Sequence, residues 1–120
     1  MPKNIILIKH PKNWGLQGRL VLEATEEILR EKKLNSVELS LLFVGRRKAK
    51  DLNIKFRNKD YVPQVLSFPM SREADSDGMI RLGDVVVCTQ KLKYEAEFQG
   101  KSWQRILELW LIHGVDGLLL

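Results

Sequence analysis

Apolar and polar positions along this chain follow two different periods, and the switches between them mark out eight segments. Residues 4–9 (Asn-Ile-Ile-Leu-Ile-Lys) are β-branched and almost wholly apolar, which predicts a short strand closed by Pro11. From Leu16 to Lys32, Leu16, Leu20, Val21, Ala24, Ile28 and Leu29 recur at helical spacing with Glu and Arg between them, the pattern of an amphipathic helix. Asn35-Ser36 breaks it. Val37, Leu39, Leu41 and Phe43 then alternate with Glu38, Ser40, Leu42 and Val44, which predicts a strand ending at Gly45. Ala49, Leu52, Ile54 and Phe56 sit among basic residues as a second, short helix.

Residues 65–69 and 82–88 read as strands, and the polar, Gly-containing segment 71–79 between them as a hairpin loop. Thr89 is placed to cap a helix through Gln99 that Gly100 ends. Ser102 is placed to cap the last helix, where Ile106, Leu107, Leu109, Trp110, Leu111 and Ile112 are apolar nearly all round, as in a central buried helix. The order β-α-β-α-β-β-α-α predicts a single α/β (α+β) domain, with a small mixed sheet of about four strands packed by helices.

Composition narrows the class. A chain of 120 residues with 44% apolar and 29% charged residues has room for one core and is neither disordered nor fibrous. Cys88, the single cysteine, cannot form an internal disulfide and is most simply a small buried hydrophobe. The N-terminus lacks the sections of a signal peptide, and no uncharged run approaches a membrane span, so a cytoplasmic protein without membrane contact is expected.

The net charge of +5 is local. Residues 1–45 carry +2, residues 46–59 carry +6 and residues 60–120 carry −3. The excess lies in Arg46, Arg47, Lys48, Lys50, Lys55, Arg57 and Lys59, which make either a solvated helix face or a contact patch for phosphates. His113, inside an apolar helix, is either a satisfied core or helix-end histidine or a ligand. Gly114 and Gly117 after it each cost about 1 kcal/mol relative to Ala within a helix, and so point to a site or a close packing point.

Six stretches follow one another at a telling spacing: Leu39 to Val44, Leu52-Asn53 through Phe56-Arg57, Lys59-Asp60, Val65-Leu66-Ser67-Phe68-Pro69, Leu82-Gly83-Asp84-Val85-Val86 and Ile112-His113-Gly114. In these the chain resembles the YbeY family of ribosomal-RNA maturation endoribonucleases. The resemblance implies a metal-dependent, single-strand-specific endoribonuclease that acts in ribosomal-RNA maturation at the 3′ end of the small-subunit RNA, with the small ribosomal subunit as partner and monomer as the default state. It also implies one zinc ion held by three histidines of a motif H-G-x-L-H-L-x-G-x-D-H that begins on the central helix. Such an ion lowers the pKa of bound water towards neutrality and offsets charge on a phosphodiester. Arg57 matches the arginine that the family is thought to use on RNA; on its own it reads equally as a surface arginine.

Three departures qualify that implication. His113 matches the first ligand, Gly117 stands at the second, and the third lies beyond Leu120, so the resemblance implies a chain truncated inside its metal motif and an impaired activity. Val62-Pro63-Gln64 replaces the family's Pro-Thr-Asp and removes a carboxylate. Asp116, three residues after His113, is a candidate substitute ligand, whereas His10, far off in sequence, reads as a solvent-facing or strand-end residue. Asp84 after Gly83 reads as a turn or strand-edge residue. Two alternatives stand beside the nuclease: a non-catalytic RNA- or ribosome-binding module that kept the fold and lost the metal, and, more weakly, a metalloprotease, although the H-E-x-x-H arrangement is absent.

Overall fold

In the computed structural model, which describes residues 3–120, the segments form β1 (Ile5–Lys9), α1 (Gly18–Glu31), β2 (Val37–Val44), α2 (Arg46–Arg57), β3 (Val65–Pro69), β4 (Ile80–Cys88), α3 (Thr89–Gln99) and α4 (Trp103–Leu119). The mixed sheet has the order β1-β2-β4-β3, with β1, β2 and β4 parallel and β3 antiparallel on the edge. Period-2 patterning decides its faces. Val37, Leu39, Leu41 and Phe43 of β2 are buried beneath α1, α3 and α4, while Glu38, Ser40, Leu42 and Val44 face the other way and are only half-buried. α2 lies on that second face, where Phe56 meets Phe68 edge to face at 5.2 Å between ring centroids. Helices thus leave the adjacent strands β2 and β4 on opposite sides of the sheet.

α4 is the helix that most of the core touches. Ile106, Leu107, Trp110, Leu111, Val115 and Leu118 are buried on it, and Ser102 caps it by accepting the Arg105 amide at 3.2 Å. Gly114 and Gly117 do not end it. They bring it close to the sheet, since a Cβ on Gly114 would lie 2.8 Å from Val85 Cγ1. Through the same contact the Ser67 hydroxyl of β3 donates to the Gly114 carbonyl at 2.6 Å.

Three boundaries differ from the sequence expectation. Leu16 is buried but lies in the loop before α1, where it joins Trp14 against the core; burial, not helical phase, put it on the apolar face. β4 starts at Ile80 rather than Leu82, because pairing with β2 extends the ladder to Val37. Thr89 is the first helical residue of α3 and not its cap; Cys88, buried as expected, holds the cap position, and the buried Thr89 hydroxyl has no partner among the described residues.

The β3–β4 hairpin is closed by charge. The Arg81 guanidinium makes two parallel bonds of 2.9 Å to the Asp77 carboxylate, with Asp75 at 3.3 Å and Glu38 at 3.6 Å. The hydrogen bond from Arg81, then that from the Met79 amide, holds the Asp77 carboxyl at about 2, below its ordinary 3.8. A depressed carboxyl contributes stability that is present above the unfolded pKa and lost as pH falls through the folded one. We therefore expect the hairpin resonances to stay native down to about pH 4 and to change between about 4 and 2 in an NMR titration. Arg81→Gln should move the Asp77 midpoint upward; an unchanged midpoint would show that Arg81 does not hold it.

Candidate nucleic-acid interface

α2 carries the basic segment because it follows β2 directly and its charged side faces outward. Ala49 and Asn53 are its buried residues, and all seven basic side chains are exposed. Arg46, Arg47 and Lys48 fill a first turn that contains no acidic residue and no side-chain cap. Cations at that end add to the positive end of the helix dipole, where the Arg46 amide donates to Gln90 Oε1 at 3.3 Å, so this turn is a concentrated positive pole. The only carboxylate paired with the seven, among the described residues, is Asp60, 3.4 Å from Lys50. Lys55 Nζ lies 5.3 Å from the centre of the Phe56 ring, and Lys59 follows the left-handed Asn58 that ends the helix.

Arg57 is aimed rather than loose. Its Nη1 donates to Asn53 Oδ1 at 3.2 Å and reaches the Tyr61 hydroxyl at 3.5 Å. Asn53, fully buried, donates its amide to the Tyr61 carbonyl at 3.0 Å, which ties the loop after α2 to the helix carrying Arg57. The guanidinium borders an open depression of about 340 Å3 with Tyr61, Gln64, Val65 and Lys91. A forked donor beside a second cation is suited to a phosphate. Sequence reading gives Asn53 no role beyond its place in the Leu52-Asn53 match and misses Tyr61; a signal for Asn53 is that it stands four residues before Arg57, on the same helix face.

His113 is exposed on α4, and the next residue, Gly114, is packed towards Val65. Val65 thus borders the Arg57 depression on one side and α4 on the other, and it is the link between the two family positions. The surroundings of His113 do not by themselves make a zinc centre. Asp116 is engaged in an ion pair with Lys32, the residue that follows α1. At Gly117, the second-ligand position of the resemblance, a Cβ would lie 2.7 Å from Ser67 Oγ and 2.9 Å from its Cβ, so β3 fills the space a side chain would need. Among the described residues no three His, Cys, Asp or Glu side chains converge.

The remaining candidates lie apart. His10 is exposed, with its ring stacked on Trp14 at 3.7 Å and Nδ1 2.7 Å from the Pro11 carbonyl oxygen. Asp84 sits within β4 opposite Phe68, where it lines a shallow apolar depression with Leu42, Phe56 and Lys48 and marks no turn. No helix among the described residues is long and apolar enough to cross a membrane.

Known proteins resemble this chain in sequence and in fold. The sequence profile of the family described as Endoribonuclease YbeY matches residues 12–119. Endoribonuclease YbeY of Staphylococcus carnosus is 37% identical over 93 residues, 74% of this chain and 61% of its own length. The protein of that name from Persephonella marina is 31% identical across 96% of this chain and 75% of its own length, and that from Sulfurihydrogenibium sp. 32% across 98% and 77%. This chain therefore spans about three fifths to three quarters of the length of these curated relatives. The solution structure of TM1509 from Thermotoga maritima superposes with a TM-score of 0.61 at 26% identity, over 92% of this chain and 69% of that one. The match to the family profile across nearly the whole chain places this chain in the YbeY family.

Proposed function

We propose that this chain is an RNA-acting protein of the endoribonuclease type, which binds single-stranded ribosomal RNA through the basic face of α2 and positions one phosphate on Arg57. The observation that carries this reading is the +6 charge of residues 46–59, all but Lys59 carried on one helix whose last residue is an arginine held by Asn53. Phosphate contacts supply most of the affinity of such an interface and make it salt-dependent. Arg57 would orient the scissile phosphate and offset the charge that develops on its oxygens. The natural setting is maturation of small-subunit ribosomal RNA in the cytoplasm.

Zinc belongs to the proposal in a restricted sense. A zinc ion supplies a nucleophilic hydroxide when bound, and His113 is the single imidazole that these residues offer it. The crowding at Gly117 and the pairing of Asp116 with Lys32 favour a second reading, an RNA-binding module that holds its target without cutting it. Binding and cleavage of a labelled single-stranded ribosomal-RNA fragment, each with and without added zinc, separate the two. The expected result is salt-sensitive binding, with less than one equivalent of zinc retained by the purified chain after dialysis. Absence of RNA binding at low salt would remove both readings, and stoichiometric retained zinc would overturn the view that the ligand set is incomplete.

A further inference from the structure

The side of α3 away from the core carries two large aromatic residues, Tyr94 and Phe98, which are 60% and 75% exposed. They stand one turn apart, with ring centroids 6.1 Å from each other and planes inclined by only 15°. Both rings therefore lie open to solvent beside one another, although burial of large aromatic surface favours a fold. Tyr94 borders a depression with Arg46, Gln64, Lys91 and Glu95. Gln64 and Lys91 also border the Arg57 depression, so one continuous track runs from Arg57 and Tyr61, past Gln64 and Lys91, to Tyr94.

The charge along this track is complementary to a nucleic-acid backbone. Arg46 and Lys91 sit in the first turns of α2 and α3, and Arg57 closes the far end. Glu95 is the one carboxylate on the track, and it accepts a bond from the Gln99 amide at 2.9 Å. Cations interleaved with exposed aromatic faces match a single strand, whose unstacked bases seat on rings while its phosphates meet the cations. A duplex keeps its base faces covered by their neighbours and has nothing to offer the rings.

We propose that Tyr94 and Phe98 form a base-stacking platform that extends the RNA track beyond Arg57 and gives the chain its preference for single strands. This rests on the RNA reading above. The test is fluorescence anisotropy with a labelled oligoadenylate and with a labelled blunt-ended, two-strand RNA duplex, on the intact chain and on variants. Tyr94→Ala combined with Phe98→Ala should weaken the single strand about tenfold, leave the duplex and the salt slope as they were, and keep the thermal midpoint, since both side chains are exposed. Tyr94→Phe should retain single-strand affinity. Arg57→Ala should weaken both RNAs. If the double variant binds the single strand as tightly as the intact chain while Arg57→Ala does not, the platform is wrong and the RNA reading stands; equal losses on both RNAs would also overturn it. An intact chain that binds neither RNA would remove the platform and the RNA reading together.

Discussion

Gly83→Ala is expected to lower the thermal midpoint by roughly 10 °C, corresponding to about 3 kcal/mol. Gly83 has φ +131°, a backbone region that L-residues rarely adopt, and a Cβ there would overlap the carbonyl oxygen of Phe68 on β3 and stand 3.0 Å from the Met70 amide nitrogen. Relief would require β3 to move off β4. The position is demanding because β4 carries an irregularity here: Glu38 pairs with Arg81 and Leu39 with Gly83, so Leu82 has no counterpart on β2. A bulge of this kind twists the strand and favours glycine. Gly78→Ala is the matched control. Its φ of +82° is also positive, at a conformational cost of order 1 kcal/mol, but nothing lies within 4 Å of the added methyl. Equal losses in the two variants would show that the approach of β3, as distinct from φ, contributes nothing.

Neutralising Arg46, Arg47 and Lys48 together with glutamine should weaken single-stranded RNA binding by about two orders of magnitude at moderate salt and reduce the salt slope by roughly two, since each lost contact on a single strand removes about 0.7 from it. The same variant should keep or slightly raise the thermal midpoint. All three cations lie in the first turn of α2, where positive charge opposes the helix dipole, and none of them has a carboxylate partner among the described residues. Opposite signs for binding and stability separate this surface from an ordinary solvated face, which would show little change in either. Unchanged RNA affinity would sink the assignment of α2 as the contact helix.

Much of this protein is legible in its sequence. The order of the eight elements follows from local periodicity, because a strand buried on one face repeats every two residues and a helix every three or four. The basic segment is equally visible, since net charge is additive and needs no fold to count. The caps and the contacts between elements are less accessible. Thr89 has the chemistry of an N-cap, yet β4 runs on through Cys88 and draws Thr89 into the first turn. Gly114 and Gly117 announce a close approach without naming what approaches, and only the packed sheet supplies Val85 and Ser67.

The candidate site divides along the same line. Arg57 could be picked out from its neighbours in the chain, but the hydrogen bonds that aim it depend on Asn53 being buried and on Tyr61 folding back over it. Asp116 could be weighed as a ligand by its spacing from His113, while its ion pair is to Lys32, 84 residues earlier. The track joining Arg57 to Tyr94 exists because α2 and α3 leave neighbouring strands on opposite sides of the sheet and meet at their N-terminal ends, where the Arg46 amide donates to Gln90. The sequence alone determined the elements, their order and the place of the excess charge, because those depend on residue type and near-neighbour spacing. The tertiary structure decided which side chains are held, which are engaged and which lie together, because those depend on contacts between residues that no local pattern connects.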